Sequence, residues 1–230
     1  MYDKNGLIDY LQANNILALK IDHAVTGVAN AISNQVTMTG AGAKRALYYA
    51  SCFTDEYQDV CKNQKNEDFR FSLSVVRLLQ HGDIAYEMLK IYFEEVFKHK
   101  TDKQLEYIKK LLFLVNIHIA SSSLTNTGFA LATASVVSAG LSISLEISAL
   151  IGRRAGHLTG AMGIYGVVQK AAEYANRLKF MYPAYYTALY QQDLEMMYFL
   201  IAPVLENAGA MKAQMVSDAT LADIIARMVG

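Results

Sequence analysis

The chain is 230 residues long and 53% hydrophobic, which excludes an intrinsically disordered protein and leaves room for a substantial core. Lys and Arg number 21 against 21 Asp and Glu, and this zero net charge argues against a nucleic-acid partner, which ordinarily demands a basic surplus. Only 18% of residues are charged, below the ~25% usual in soluble domains, so the chain is greasy without being membrane-spanning throughout.

The stretch Met1–Gly6 lacks the charged-then-apolar plan of a secretory leader, so the expectation is synthesis in a cytoplasm, with export or injection by another route. Leu7, Ile8, Leu11, Ile16 and Leu17 mark a first short helix, and Ala24, Val28, Ile32 and Val36 a second. Thr37–Gly42 punctuates them; the spacing of a phosphate-binding loop is absent around Met38–Lys44. Cys52 and Cys61, the only thiols, are nine residues apart. On one helix they would lie ~13 Å apart, too far for a bridge, so two reduced structural thiols are expected. Tyr57–Asp68 reads as polar and exposed.

Gly82-Asp83 opens the clearest amphipathic helix. Ile84, Met88, Leu89, Tyr92, Phe93, Val96 and Phe97 take one face, and Glu87, Lys90, Glu94, Glu95 and Lys98 the other. Thr101-Asp102 caps the next helix, whose Leu105, Ile108, Leu112 and Val115 keep helical spacing until it is apolar all round by Leu111. Charge then nearly vanishes: residues 111–169 carry only Glu146, Arg153 and Arg154. After Lys170 the helical pattern resumes through Tyr174, Leu178 and Met181 to Pro183. It continues past an apolar patch at Met196–Leu200, a kink expected at Pro203, and a helix capped by Ser217-Asp218 and spanning Leu221–Met228. The tyrosines at 182, 185, 186 and 190 suit either a membrane interface or a seam between helices.

Within the low-charge block, Phe129–Ile151 is long enough to cross a ~30 Å hydrocarbon core as a helix, and Ala155–Val168 forms a second arm beyond the basic Gly152-Arg153-Arg154 turn. Strict alternation over Leu141–Ser148 is a strand signal, but its Ala-rich flanks favour helix. The strong hydrophobes of the first arm contribute roughly −3 to −6 kcal/mol towards insertion. Glu146, at about +3 kcal/mol, and the serines and threonines offset that, leaving the transfer close to balanced. Ser135, Ser138, Ser142, Glu146 and Arg153 form a polar stripe at helical spacing, the candidate lining of a hydrated path with Glu146 favouring cations. Gly152, Gly156, Gly160 and Gly163 are candidate helix-packing positions, since small residues four apart let backbones approach closely. The bland alternative is that the serines and glycines permit tight packing in a soluble core, with Glu146 at the surface or paired to Arg153. The five histidines are scattered without metal-ligand spacing, and no nucleophile motif occurs, so neither an enzyme nor a cofactor nor a metal is expected.

The expected fold class is therefore all-α, a helical bundle whose central hydrophobic helical hairpin is wrapped by amphipathic helices. The expected organisation is one domain, with soluble helices over 1–110, the hairpin region over 111–169 and C-terminal helices over 170–230. In its low-charge block 111–169, its Arg153-Arg154 turn and its flanking amphipathic helices, the layout resembles colicin-like and interbacterial pore-forming toxins. Some 60 residues follow the hairpin and the net charge is zero, both departures from that pattern. The resemblance implies a water-soluble toxin or effector acting at a target-cell membrane. A lipid bilayer would be its partner, an immunity protein or chaperone would neutralise it, and a homo-oligomer could form in the membrane. A soluble adaptor or inhibitor with a greasy core is the competing expectation, and an integral membrane protein with several spans a weaker one. Replacing Glu146 by Gln removes the largest polar cost of the first arm, so E146Q should bind membranes more tightly and alter cation selectivity in planar-bilayer recordings. Unchanged selectivity would remove Glu146 from the path.

Overall fold

The computed structural model describes residue 45 and residues 48–53, 58–81, 83–120, 124–140 and 160–230. The chain is all-α: helices pack on helices, and no strand occurs among the described residues. It divides into two compact units, Met1–Ser72 with Arg154–Glu173, and Leu73–Arg153 with Tyr174–Gly230. The eight helices named below run from Gln58–His81 (α1) to Asp218–Val229 (α8), with Ile84–Phe97 (α2), Asp102–Leu114 (α3), Asn126–Gly140 (α4), Gly160–Met181 (α5), Pro183–Gln191 (α6) and Ala202–Asn207 (α7) between them. The unit boundaries fall inside α1 and α5.

In the first unit the cysteines overturn the sequence expectation. Cys52 and Cys61 form a disulfide, with Cα atoms 4.8 Å apart. They do not share a helix: Cys52 lies in the short 3₁₀ turn Ala50–Phe53, whereas Cys61 lies in the first turn of α1. The Gln58 side-chain amide donates to the Cys52 carbonyl at 3.2 Å. The segment expected to be polar and exposed is also only partly so, because Cys61 and Gln64 are buried along α1.

In the second unit the caps act as their residue types predict. The Asp83 carboxylate accepts from the Tyr86 N–H at 3.0 Å and starts α2. Thr101 and Gln104 form a reciprocal capping box at the start of α3. Ser217 accepts from the Thr220 N–H at 3.1 Å and starts α8, three residues earlier than the apolar pattern alone suggested. Every residue assigned to the apolar face of α2 is buried.

Helix ends are less conventional. At α3 the Ile117 N–H reaches the Leu112 carbonyl at 2.9 Å and the Asn116 N–H the Phe113 carbonyl at 3.1 Å, with Asn116 at φ 62°. This is a Schellman closure with Asn in the left-handed position, and both Ile117 and Leu112 are buried. Val115, expected to continue the helix, is its cap. The same closure ends α6, through Leu194 to Leu189 at 3.0 Å and Asp193 to Tyr190 at 3.3 Å, with Asp193 at φ 56°. Pro203 does not kink a helix: it stands in the first turn of α7, where its missing N–H costs nothing, and the preceding apolar patch forms a buried 3₁₀ turn, Glu195–Leu200.

The bridged thiols generate a direct test. Denatured, unreduced protein should show no free thiol by colorimetric titration and two after reduction. Closing so short a loop contributes about 2–3 kcal/mol, so C52S should lower the stability of the first unit by that amount in denaturant melts.

Candidate functional site

The low-charge segment is built outward from α4, NTGFALATASVVSAG, which contains no ionisable residue. Thr125 caps it by accepting from the Gly128 N–H at 3.1 Å. The Asn126 side-chain amide donates to the carbonyls of Phe97, Lys98 and Lys100 at 2.6, 3.1 and 3.1 Å, satisfying acceptors at the end of α2 that the helix leaves open. Phe129, Ala130, Thr133, Ala134 and Val137 recur at helical spacing and are buried. The Thr133 hydroxyl donates to the Phe129 carbonyl at 2.7 Å, so this buried polar group is satisfied within the helix. Helices α2, α3 and α8 all pack on α4. At its far end Gly140 permits close approach: a Cβ there would stand 3.1 Å from the Val229 carbonyl oxygen of α8.

The serine stripe is represented by two residues. Ser135 is exposed and Ser138 partly so, away from the buried Phe129–Val137 face. Their hydroxyls donate back to the Leu131 and Ser135 carbonyls at 3.0 and 3.3 Å. Ser142, Glu146, Arg153, Gly152 and Gly156 lie outside the described residues, as does the alternating stretch Leu141–Ser148. Gly160 and Gly163 fall in the opening turns of α5. Among the described residues no helix is long and apolar enough to cross a membrane.

Neutral hydrogen bonds hold the start of α4, and one ionic joint closes its sheath. Lys100 meets Asp218 at 2.6 Å, and the Gln104 amide donates to the same carboxylate at 3.1 Å, so the α2–α3 connection is fastened to the first residue of α8. A carboxylate at a helix N-terminus is also favoured by the helix dipole.

Behind α4 runs a chain of aromatic contacts. Phe129 meets Phe97 edge-on at 4.9 Å, Phe97 stacks on Phe93 at 5.7 Å, and Phe93 meets Tyr92 at 5.0 Å. Tyr92 meets Tyr185 at 5.5 Å, and Tyr185 meets Tyr198 at 6.1 Å. Tyr92 donates to the Ala210 carbonyl at 2.8 Å and Tyr185 to the Met88 carbonyl at 2.9 Å. Burial pushes both phenols well above their ordinary pKa, which keeps them neutral donors. Tyr182 and Tyr185 thus belong to a seam between helices, while Tyr190 remains exposed.

The sequence reading missed one site altogether. In the first unit Arg45 is 0% exposed, and its guanidinium meets Asp68 at 2.5 Å and Glu67 at 2.9 Å. It also donates to the Gln64 carbonyl at 3.2 Å and to the Gln169 side-chain oxygen at 3.3 Å, while the Tyr49 hydroxyl donates to Asp68. Burial raises the Asp68 carboxyl above its ordinary pKa, and the Arg45 charge and hydrogen bonds only partly offset this. One cation faces two carboxylates here, an arrangement suited to structural pairing or pH response. No cluster of three or more His, Cys, Asp or Glu able to hold a metal ion occurs among the described residues. Comparison with protein-family models, with curated proteins and with solved structures found no match to this chain.

Removing one partner of a buried pair costs more than the pair contributes, so R45M should destabilise the first unit by about 3–5 kcal/mol. Because the folded pKa of Asp68 is raised, its stability contribution is full below the unfolded value and is lost as pH rises through the folded one. Melting temperatures followed from the carboxylate range to neutrality should show that decline in the wild type, and a flatter profile in D68N.

Proposed function

We propose that the chain is a membrane-inserting toxin or effector that releases its low-charge segment into a target bilayer and permeabilises it to ions. What supports the reading is the uncharged helix α4, whose buried face is sheathed by α2, α3 and α8. Such a helix is stable under the sheath and carries no charge that must be neutralised on transfer to lipid. Its ends are held by the Asn126 amide and by packing at Gly140, ties that exchange without creating an unpaired ion. The sequence beyond it remains uncharged to Leu145, extending the apolar length that an inserted form requires. The partner is the bilayer, an immunity protein or chaperone would keep the sheath closed, and protomers would associate through the glycine run. No cofactor enters the mechanism.

A second reading is a soluble all-α interaction protein, an adaptor or inhibitor. The observation favouring it is that Phe129 continues the aromatic chain of the core, so α4 also serves as an ordinary structural helix.

A substitution at Gly140 separates the two. A Cβ added there would stand 3.1 Å from the Val229 carbonyl oxygen, so G140A loosens the contact of α4 with α8. Wild-type protein should release dye from liposomes and pass current across planar bilayers. G140A should release dye faster than wild type while keeping its helical circular dichroism; lower stability with no gain in release would count against withdrawal of α4. Sealed vesicles and silent bilayers with wild type would leave the interaction protein as the better account.

A further inference from the structure

The end of α3 presents three successive apolar side chains to solvent: Phe113 is 60% exposed, Leu114 76% and Val115 53%. Their exposure is built into the backbone. The Schellman closure turns the chain at Asn116 and returns it inward, so that Ile117 and Ile119 are buried while the preceding three residues face out. Phe113 is further positioned edge-on to the His118 ring at 5.0 Å. The tip is thus ordered before it meets anything, and binding through it forfeits little conformational freedom.

From this geometry we infer that Phe113, Leu114 and Val115 form a wedge that seats the protein on an anionic lipid surface. The inference rests on the membrane reading above and assigns that reading its first contact. Two observations select lipid over a protein partner. The three side chains offer on the order of 300 Å² of apolar surface, well short of the ~800 Å² per partner of a stable protein interface but ample for immersion among headgroups. Lys109 and Lys110 lie one helical turn behind the wedge, and no acidic residue occurs between Glu106 and Glu146 in the sequence. Glu106 pairs with Lys110 at 3.1 Å, but both are more than half exposed, so this ion pair is weak and readily traded for lipid phosphate. Tyr107, 49% exposed on the same helix, adds an aromatic ring of the kind enriched at the headgroup level. Apolar groups leading, with cations and a tyrosine one or two turns behind, is the order in which a bilayer presents acyl chains and then phosphates.

The chain contains no Trp, so F113W supplies a single fluorescent reporter at the wedge. With vesicles of phosphatidylcholine and phosphatidylglycerol, its emission should shift to the blue and be quenched by lipids brominated near the headgroup end of the acyl chain. Pure phosphatidylcholine should bind at least tenfold more weakly, as the loss of attraction for two lysines implies. High salt should have the same effect. L114D, at an exposed position, should keep its helical circular dichroism and bind anionic vesicles at least tenfold more weakly. L114W provides a second reporter should F113W perturb the His118 contact. Dye release is read in parallel. Leakage with an unquenched reporter overturns the wedge and leaves the membrane reading standing; quenching without leakage supports the wedge and removes the pore. An unquenched reporter without leakage overturns both, including the case in which the tip binds protein instead.

Discussion

The second unit depends on finding cover for both sides of α2. Apart from Ile91, its buried residues fall in two adjoining rows, Ile84, Met88, Tyr92 and Val96 beside Ala85, Leu89, Phe93 and Phe97, so more than one neighbouring helix must pack on it. Helix α4 covers one row and α6 another, with the Ala210–Met215 turn closing over Tyr92. Two of the tyrosines buried in this core impose a stricter condition than area does. An unpaired phenol is costly once buried, and the Tyr92 and Tyr185 hydroxyls meet the Ala210 and Met88 carbonyls. The hydrogen bonds therefore fix the register of α6 and of the 210–215 turn on α2, while the aromatic rings pack edge-on beside them.

On the proposed membrane reading, that arrangement would give α4 two roles in tension. Phe129 extends the aromatic chain, so withdrawing α4 opens a cavity beside Phe97, and deleting buried aromatic volume of that kind typically costs ~3–5 kcal/mol. Against this, α4 itself brings no charge into the core and leaves none behind when it departs. The carbonyls at the end of α2, freed from Asn126, would face water. On the proposed membrane reading, a barrier of this size, made of packing and few polar ties, is one that transfer of α4 to a more apolar phase would have to overcome.

Much of this was legible in the sequence, because it is encoded locally. Asp83, Thr101 and Ser217 announce their helices through the one hydrogen bond each side chain makes to a nearby N–H, and the apolar face of α2 follows from 3.6-residue periodicity. What escaped depends on chain reversal or distant partners. The cysteine separation was converted to a distance on the assumption of one helix, whereas Cys52 precedes the helix that holds Cys61. Nothing local in the sequence marks Arg45, since its partners Glu67, Asp68 and Gln169 are brought to it only by folding. The left-handed Asn116 and Asp193 were hidden because glycine is the usual marker of that closure, and short polar residues tolerate it without advertising it. For the polar stripe, only Ser135 and Ser138 fall within α4, and the relation of Ser142, Glu146 and Arg153 to them lies outside the described residues.

The wedge and the sheathed helix are linked by the order of the chain. Val115 ends the exposed tip and Asn126 begins α4, so only ten residues separate the two, and buried Ile117 and Ile119 anchor part of that connection. Ten residues reach at most ~35 Å when extended, about the thickness of a hydrocarbon core. A tip held among headgroups therefore keeps the start of α4 within one bilayer thickness of the lipid, while Asn126 still ties it to α2. The Lys100–Asp218 joint lies on the same α2–α3 connection, at the opposite end of α3 from the wedge. Asp218 begins α8 and Val229 ends it, so the ionic joint and the close approach at Gly140 hold opposite ends of that helix, and on the proposed membrane reading both must part before α4 is uncovered.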